Sequence, residues 1–364
     1  NTAANPFTIY ISGTPTGWSN TGAYSWDLIS AASVTGFNSG NFTWNFDNFG
    51  IASGNRTGTW DILNTGGLIQ LTYTAATPDH FWSGASGNWT TGFTPVKPTT
   101  DKNLFFIGAV GGTATNNIAS GTLSSLNFIT FNSTAGSYTL AASAGAAGAS
   151  GGTALTVKGD ITNYSANAQT ISMNLALLNT STGIVNTTAG NITIGGVVSG
   201  AGVLTKLGNR TLILSANNTY TGATIITGGT LQIGAGGTSG ALNANSTITN
   251  NGMLVFNRSN TVTQGTDFAS TLAGTGNLAQ AGSGTLLLTG NNTYTGTTTI
   301  SAGTLEVGSA GRLGGGAYAG NIANSGVLIY SGSNAQTLSG VISGTGALTQ
   351  NNSSTLTLSG NNTY

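Results

Sequence analysis

Chemistry at neutral pH needs side chains that move protons, hold metals or attack bonds. This 364-residue chain has few of them. Its one histidine, His80, sits in TPDHFW, where Asp79 or Asp101 could partner it as a base. A single imidazole among aromatics reads first as a packed structural group. Zinc needs three or four His, Cys or carboxylate ligands. With one His, no Cys and scattered acids, no metal and no cofactor is expected. Glycoside hydrolysis needs two carboxylates roughly 5–10 Å apart. Asp27, Asp47, Asp61, Asp79 and Asp101 stand singly, and only Asp160, Asp267 and Glu306 follow. A polysaccharide-active enzyme is therefore a minor alternative, requiring acids, Arg and Lys on one outer face. GAGGTSG (234–240) and GRLGGGAYAG (311–320) lack the Asp of a calcium nonapeptide and the Lys-Ser/Thr of a phosphate loop. The expectation is that the chain is not an enzyme.

Aromatic side chains offer a different chemistry. All six Trp and all five Pro lie in residues 1–98. Ring faces stack on the apolar faces of sugars. Trp18, Trp26, Trp82 and Trp89 are accordingly candidate contacts for a glycan or for a neighbouring protomer. The plainer reading of the same residues is a small aromatic core, or a cap shielding the open end of a coil.

Charge narrows the partners. There are 58 Gly, and eight basic residues balance eight acidic ones. A typical soluble domain is about a quarter charged. Nothing here attracts nucleic acid or an anionic membrane surface. No apolar run approaches the ~20 residues needed to span a bilayer, so no membrane insertion by this segment is expected. Asn, Thr and Ser hydrate the exposed faces instead. Asn1 is not an initiator and no signal peptide is present, which reads as a processed product or a piece of something longer.

The elements that carry these residues repeat. GAGVLTKLGNRTLILSANNTYTGATIITGGTLQIG (200–234) recurs as GTGNLAQAGSGTLLLTGNNTYTGTTTISAGTLEVG (274–308), 74 residues on. It begins again at 344 as GTGALTQNNSSTLTLSGNNTY. Fixed-period self-similarity sets architecture. The pairs Leu212/Leu214, Leu286/Leu288 and Leu356/Leu358 each flank one variable residue, which is the period of a strand with one face inward. Leu231/Ile233 and Leu305/Val307 repeat the pattern. Between them, NNTYTG reads as a turn, with Asn218, Tyr220 and Gly222 in one copy and Asn292, Tyr294 and Gly296 in the next. Strands and turns without helices cannot make a helix-crossover sheet, but they can coil. Three coils of about 25 residues fit one period, and Asn at the turns is expected to bond along the coil axis. The expected divisions are an aromatic-rich N-terminal β region (1–77), opening rungs (78–190), and the repeat array (191–364).

These motifs resemble the autotransporter-associated β-strand repeat of bacterial surface proteins. GTLLLTGNNTYTGTTTISAGTLEVG (284–308) and its copies carry the likeness, over about 191–364. Residues 82–140 are similar to the region that opens such arrays, and 1–75 to the closing part of a preceding one. The resemblance implies an all-β fold, a right-handed parallel β-helix (β-solenoid), displayed outside the cell as part of a passenger region. It brings no catalytic residues.

Two function classes follow. The leading one is a structural fibre, stalk or matrix at the cell surface. Because the chain stops within a repeat with no polar cap visible, end-to-end stacking into homo-oligomers or filaments is expected. The alternative is an adhesin that binds glycans through the N-terminal aromatics.

Overall fold

Alternating apolar residues between glycine-rich turns fold this chain as short β-strands. The computed structural model describes residues 7–10, 24–30, 42–45, 59–65, 68–74, 80–94, 97–178, 182–269 and 271–364. Two units emerge, Asn1–Asp79 and His80–Tyr364.

In the first unit, Phe7–Tyr10 pairs parallel with Phe42–Asn45. Leu68–Thr74 lies between Tyr24–Ser30 and Thr59–Thr65 in an antiparallel three-stranded sheet. Ile69 and Leu71 are buried two residues apart, with Ile62 beside Leu71 across the ladder. The described strands of residues 59–74 form an antiparallel hairpin, not windings of a coil.

The second unit is a parallel β-solenoid. One of its sheets, among the described residues, runs through twelve strands, from Gly87–Asn88 to Ile342–Ser343. At ~4.8 Å per strand it stacks to roughly 50 Å. Each strand is one winding. Ile192, Leu212, Leu231, Leu254 and Leu278 stack in register, as do Ile194, Leu214, Ile233 and Phe256. All are buried. Parallel sheets need a covered inner face, and these columns cover it. Each such side chain contributes about 1.5–3 kcal/mol relative to exposure.

A thirteen-stranded sheet bends at Ser125–Phe131. The first part of that strand pairs with Thr156 and Val157, the last with Ile161–Asn163. A five-stranded sheet, Val262–Thr263 to Ala347–Gln350, and a three-stranded one, Ala317–Tyr318, Gln336–Leu338 and Leu356–Leu358, complete the later windings.

The repeat and the winding do not share a period. Three windings carry the chain from Leu212 through Leu231 and Leu254 to Leu278, and the remaining residues of the 74 turn the next corner to Leu286. Leu212 lies in the twelve-stranded sheet, Leu286 in the five-stranded one, and Leu356 in the three-stranded one. One repeat therefore makes about three and one third windings of about 22 residues, where spacing alone suggested three of 25. The shorter winding follows from corners tight enough to need glycine.

Those corners stack closely. A Cβ on Gly296 would lie 2.2 Å from the Gly276 carbonyl oxygen, one on Gly320 2.3 Å from that of Gly296, and one on Gly340 2.3 Å from that of Gly320. Backbone sits directly on backbone down this column, so no other residue fits without displacing a winding.

The opening windings hold an aromatic cluster. Phe93 meets Trp82 and Trp89 edge to face, with ring centroids 5.1 and 5.7 Å apart, and Phe106 stacks on Phe131 at 5.0 Å. His80–Trp82 pairs antiparallel with Phe93–Thr94, which folds these rings over the first windings.

Candidate functional site

The repeat positions form the core. Leu212, Leu214, Leu231, Ile233, Leu286, Leu288, Leu305 and Val307 are buried, while Leu356 and Leu358 are partly buried against the same cluster. Ile213 and Leu287, between the inward pairs, are half-buried on the outer face.

The NNTYTG segments fasten one winding to the next. Asn218 Oδ1 accepts from Val198 N at 2.9 Å, and its amide donates to the Ala216 and Ala241 carbonyls. Asn292 Oδ1 accepts from Leu272 N at 2.9 Å, and Asn362 repeats the contact with Ile342 N. The amides do bond along the axis, to backbone in Asn218 and Asn362, while Asn292 also exchanges two hydrogen bonds with the side-chain amide of Gln264. Successive copies stand on different sheets, so like residues never stack.

The tyrosines of these turns point inward. The Tyr220 hydroxyl lies 2.6 Å from Thr224 Oγ1, and that of Tyr294 lies 2.7 Å from Thr298 Oγ1. Tyr318 joins the second pair. Burial raises all three phenols above their ordinary range, Tyr294 well above it. Gly222 and Gly296 allow the turn to lie on the backbone of Gly202 and Gly276. The Asn and Tyr of these turns are interior fastenings, while Asn217, Thr219 and Thr221, and Asn291, Thr293 and Thr295, alternate with them on the outside.

Trp82 and Trp89 are 1% and 0% exposed. Neither can present a ring face to a sugar or a protomer, because both fill the aromatic core. A Cβ on Gly92 would fall 2.1 Å from the Trp82 ring, which shows how closely that ring is held. Trp26 lies in Tyr24–Ser30, but its side chain is outside the described residues, as is all of Trp18. His80 is buried edge-on to Phe93, 6.2 Å between ring centroids. Among the described residues, no three His, Cys, Asp or Glu side chains gather as metal ligands.

Three features were not evident from the sequence. Lys206 is buried and donates to the carbonyls of Leu207, Gly208 and Gly228 at 2.7, 2.9 and 3.1 Å. Burial pushes its ammonium down to about 8. In the other copies this place is Gln280 and Gln350, whose amides donate to equivalent turn carbonyls. That Lys/Gln exchange was the one signal in the sequence. Asp101 takes a left-handed φ of 65° and pairs with Lys158 at 2.6 Å. Phe128 and Tyr164 stand out of the same region, 42% and 50% exposed.

The passenger-associated-transport repeat matches residues 204–233, 278–307 and 348–364. The first two are the stretches just described as inward Leu pairs, fastening Asn and buried Tyr; the third carries the partly buried Leu356 and Leu358, Asn362 and the exposed Tyr364. The adhesin BmaC autotransporter of Brucella suis biovar 1 (strain 1330) is 36% identical over 179 residues. That match takes in 44% of this chain and 5% of the relative, so the chain spans a small fraction of that protein's length. No solved structure matches. No helix among the described residues is long and apolar enough to cross a membrane. Repeat matches, homology and the solenoid agree: the chain carries passenger-associated-transport repeats on a β-solenoid and is similar to an autotransporter adhesin, which indicates a secreted, cell-surface protein.

Proposed function

We propose that this segment is a non-enzymatic, adhesin-like part of a passenger, in which the solenoid is the stalk and its outer face makes the contact. One observation carries the reading. The repeats that match the passenger family are the same residues that build the buried column, and the relative sharing this sequence is described as an adhesin. In this reading the repeats supply length and rigidity, and recognition falls to places where the sequence departs from them. The ligand class is a surface glycan.

Beads coated with the purified segment, applied to epithelial monolayers, test this. Attachment well above that of albumin-coated beads is expected. Attachment no greater than albumin's would sink the reading. End-to-end association into filaments is a separate proposal, resting on the tendency of uncovered sheet edges to pair. Sedimentation that stays monomeric from micromolar to millimolar concentration would overturn it.

A further inference from the structure

We propose that the outer face of the opening windings is an oligosaccharide platform, with Phe128 and Tyr164 as its stacking rings and the Asp101–Lys158 pair as its polar anchor. The inference rests on the adhesin reading and gives it a location.

The geometry starts from a bulge. In Ser125–Phe131, Leu126, Ile129 and Phe131 are fully buried. The ladder shifts register between Leu126 and Ile129, and that irregularity turns Phe128 outward. Its ring lies against Gly159, where a Cβ would come within 2.4 Å of the ring. A glycine there is what allows an exposed aromatic to rest on backbone and hold one orientation.

Tyr164 follows Asn163, which pairs with Phe131, while Ile129 pairs with Ile161. The two exposed rings are thus four positions apart on neighbouring strands, roughly 13 Å along the strand direction. Between them the half-buried Thr130 pairs with the buried Thr162. That span suits a short sugar chain rather than a single ring, with the half-buried Thr130 beneath its middle.

Beyond Phe128, Asp101 is held in its left-handed conformation from several sides. Its N–H donates to Ser125 O at 2.9 Å, and its carbonyl accepts from Asn127 Nδ2 at 2.8 Å. Its carboxylate accepts from the Ser125 hydroxyl and from Lys158 Nζ. Lys158, then Ser125, hold that carboxyl below its usual range. A non-glycine residue at positive φ is strain that its surroundings must maintain, and such strain clusters at functional sites. Lys158 and Asp160 flank Gly159 in sequence, so a chain with only eight acids and eight bases places several of them beside its exposed Phe.

The chemistry selects the ligand. Fixed donors and acceptors of both signs beside flat rings match the hydroxyls and C–H faces of a saccharide. Asp101, Lys102, Lys158 and Asp160 sum to no net charge, so a nucleic acid gains nothing here.

Calorimetric titration of the 364-residue chain with cellotetraose, maltotetraose and chitotetraose is the test. At least one should bind. Phe128→Ala and Tyr164→Ala should each weaken it tenfold or more, with unchanged circular dichroism and melting temperature. Lys158→Gln should weaken it less. No binding of any tetraose, or binding that both alanine variants leave intact, would overturn the platform. The bead assay separates the two readings: attachment kept by Phe128→Ala/Tyr164→Ala removes the platform and leaves the adhesin. Wild-type beads that fail to attach remove the adhesin reading, and the tetraose result then stands by itself.

Discussion

Leu212 and Leu286 hold the same place in successive repeats, yet one lies in the twelve-stranded sheet and the other in the five-stranded sheet. Leu212 stacks instead on Ile192 and Leu231. Internal similarity in this chain marks equivalent chemistry, not neighbours in space.

This gives a pattern of coupling. Leu212→Ala, Leu231→Ala and Leu286→Ala should each cost about 2–5 kcal/mol as buried truncations. Leu212 and Leu286 are roughly 16 Å apart along the axis, so their effects should add within about 0.5 kcal/mol. Leu212 and Leu231 share one cavity and should deviate from additivity. Urea unfolding of the double mutants measures this, and strong coupling between Leu212 and Leu286 would mean that the repeats stack directly.

Gly296→Ala should destabilise the solenoid, because its Cβ meets the Gly276 carbonyl at 2.2 Å. Overpacking of this kind costs about 1–3 kcal/mol. Gly237→Ala, where nothing lies within 4 Å of the added carbon, is the control and should leave the melting temperature where it is.

The Tyr220–Thr224 hydroxyl pair is enclosed. Tyr220→Phe leaves Thr224 Oγ1 without that partner in the core and should cost about 1–3 kcal/mol. Tyr220→Phe/Thr224→Val removes both polar ends, so it should cost less than the two single changes summed. A strictly additive cycle would show that the two hydroxyls do not depend on each other.

Lys206 makes stability depend on pH in a defined direction. Its ammonium has an ordinary value of 10.5 and falls to about 8 on burial. Between these values the unfolded chain binds a proton that the folded chain does not, so stability should rise as pH climbs from 8. The gain by pH 10 is at most about 2 kcal/mol, since three carbonyl hydrogen bonds favour the charged form. Above pH 10 the buried Tyr220, Tyr294 and Tyr318 reverse the trend. Their folded values lie above 10, so only the unfolded chain ionises there. Lys206→Gln, which copies the residue at 280, should abolish the rise and keep the fall. Denaturant midpoints across pH 7–11 check both limbs.

Much of the architecture was legible in the residues themselves. Leu pairs two apart allow only a strand with one buried face, and strands joined by Asn-Gly turns, repeated without helices, must wind. The repeat also marked which leucines are interior, because their spacing is a local property. The number of windings per repeat was not local. It depends on how closely one corner sits on the next, and Gly276, Gly296 and Gly320 approach each other only once the chain has coiled. Burial decided the aromatics in the same way. Trp82 and Trp89 read as candidate surface rings, while Phe128 gave no signal, because a register shift at one strand and a glycine on another turned it outward. Residue type sets what a side chain can do. Which face it occupies is set by contacts between segments distant in sequence, and spacing along one strand cannot encode those.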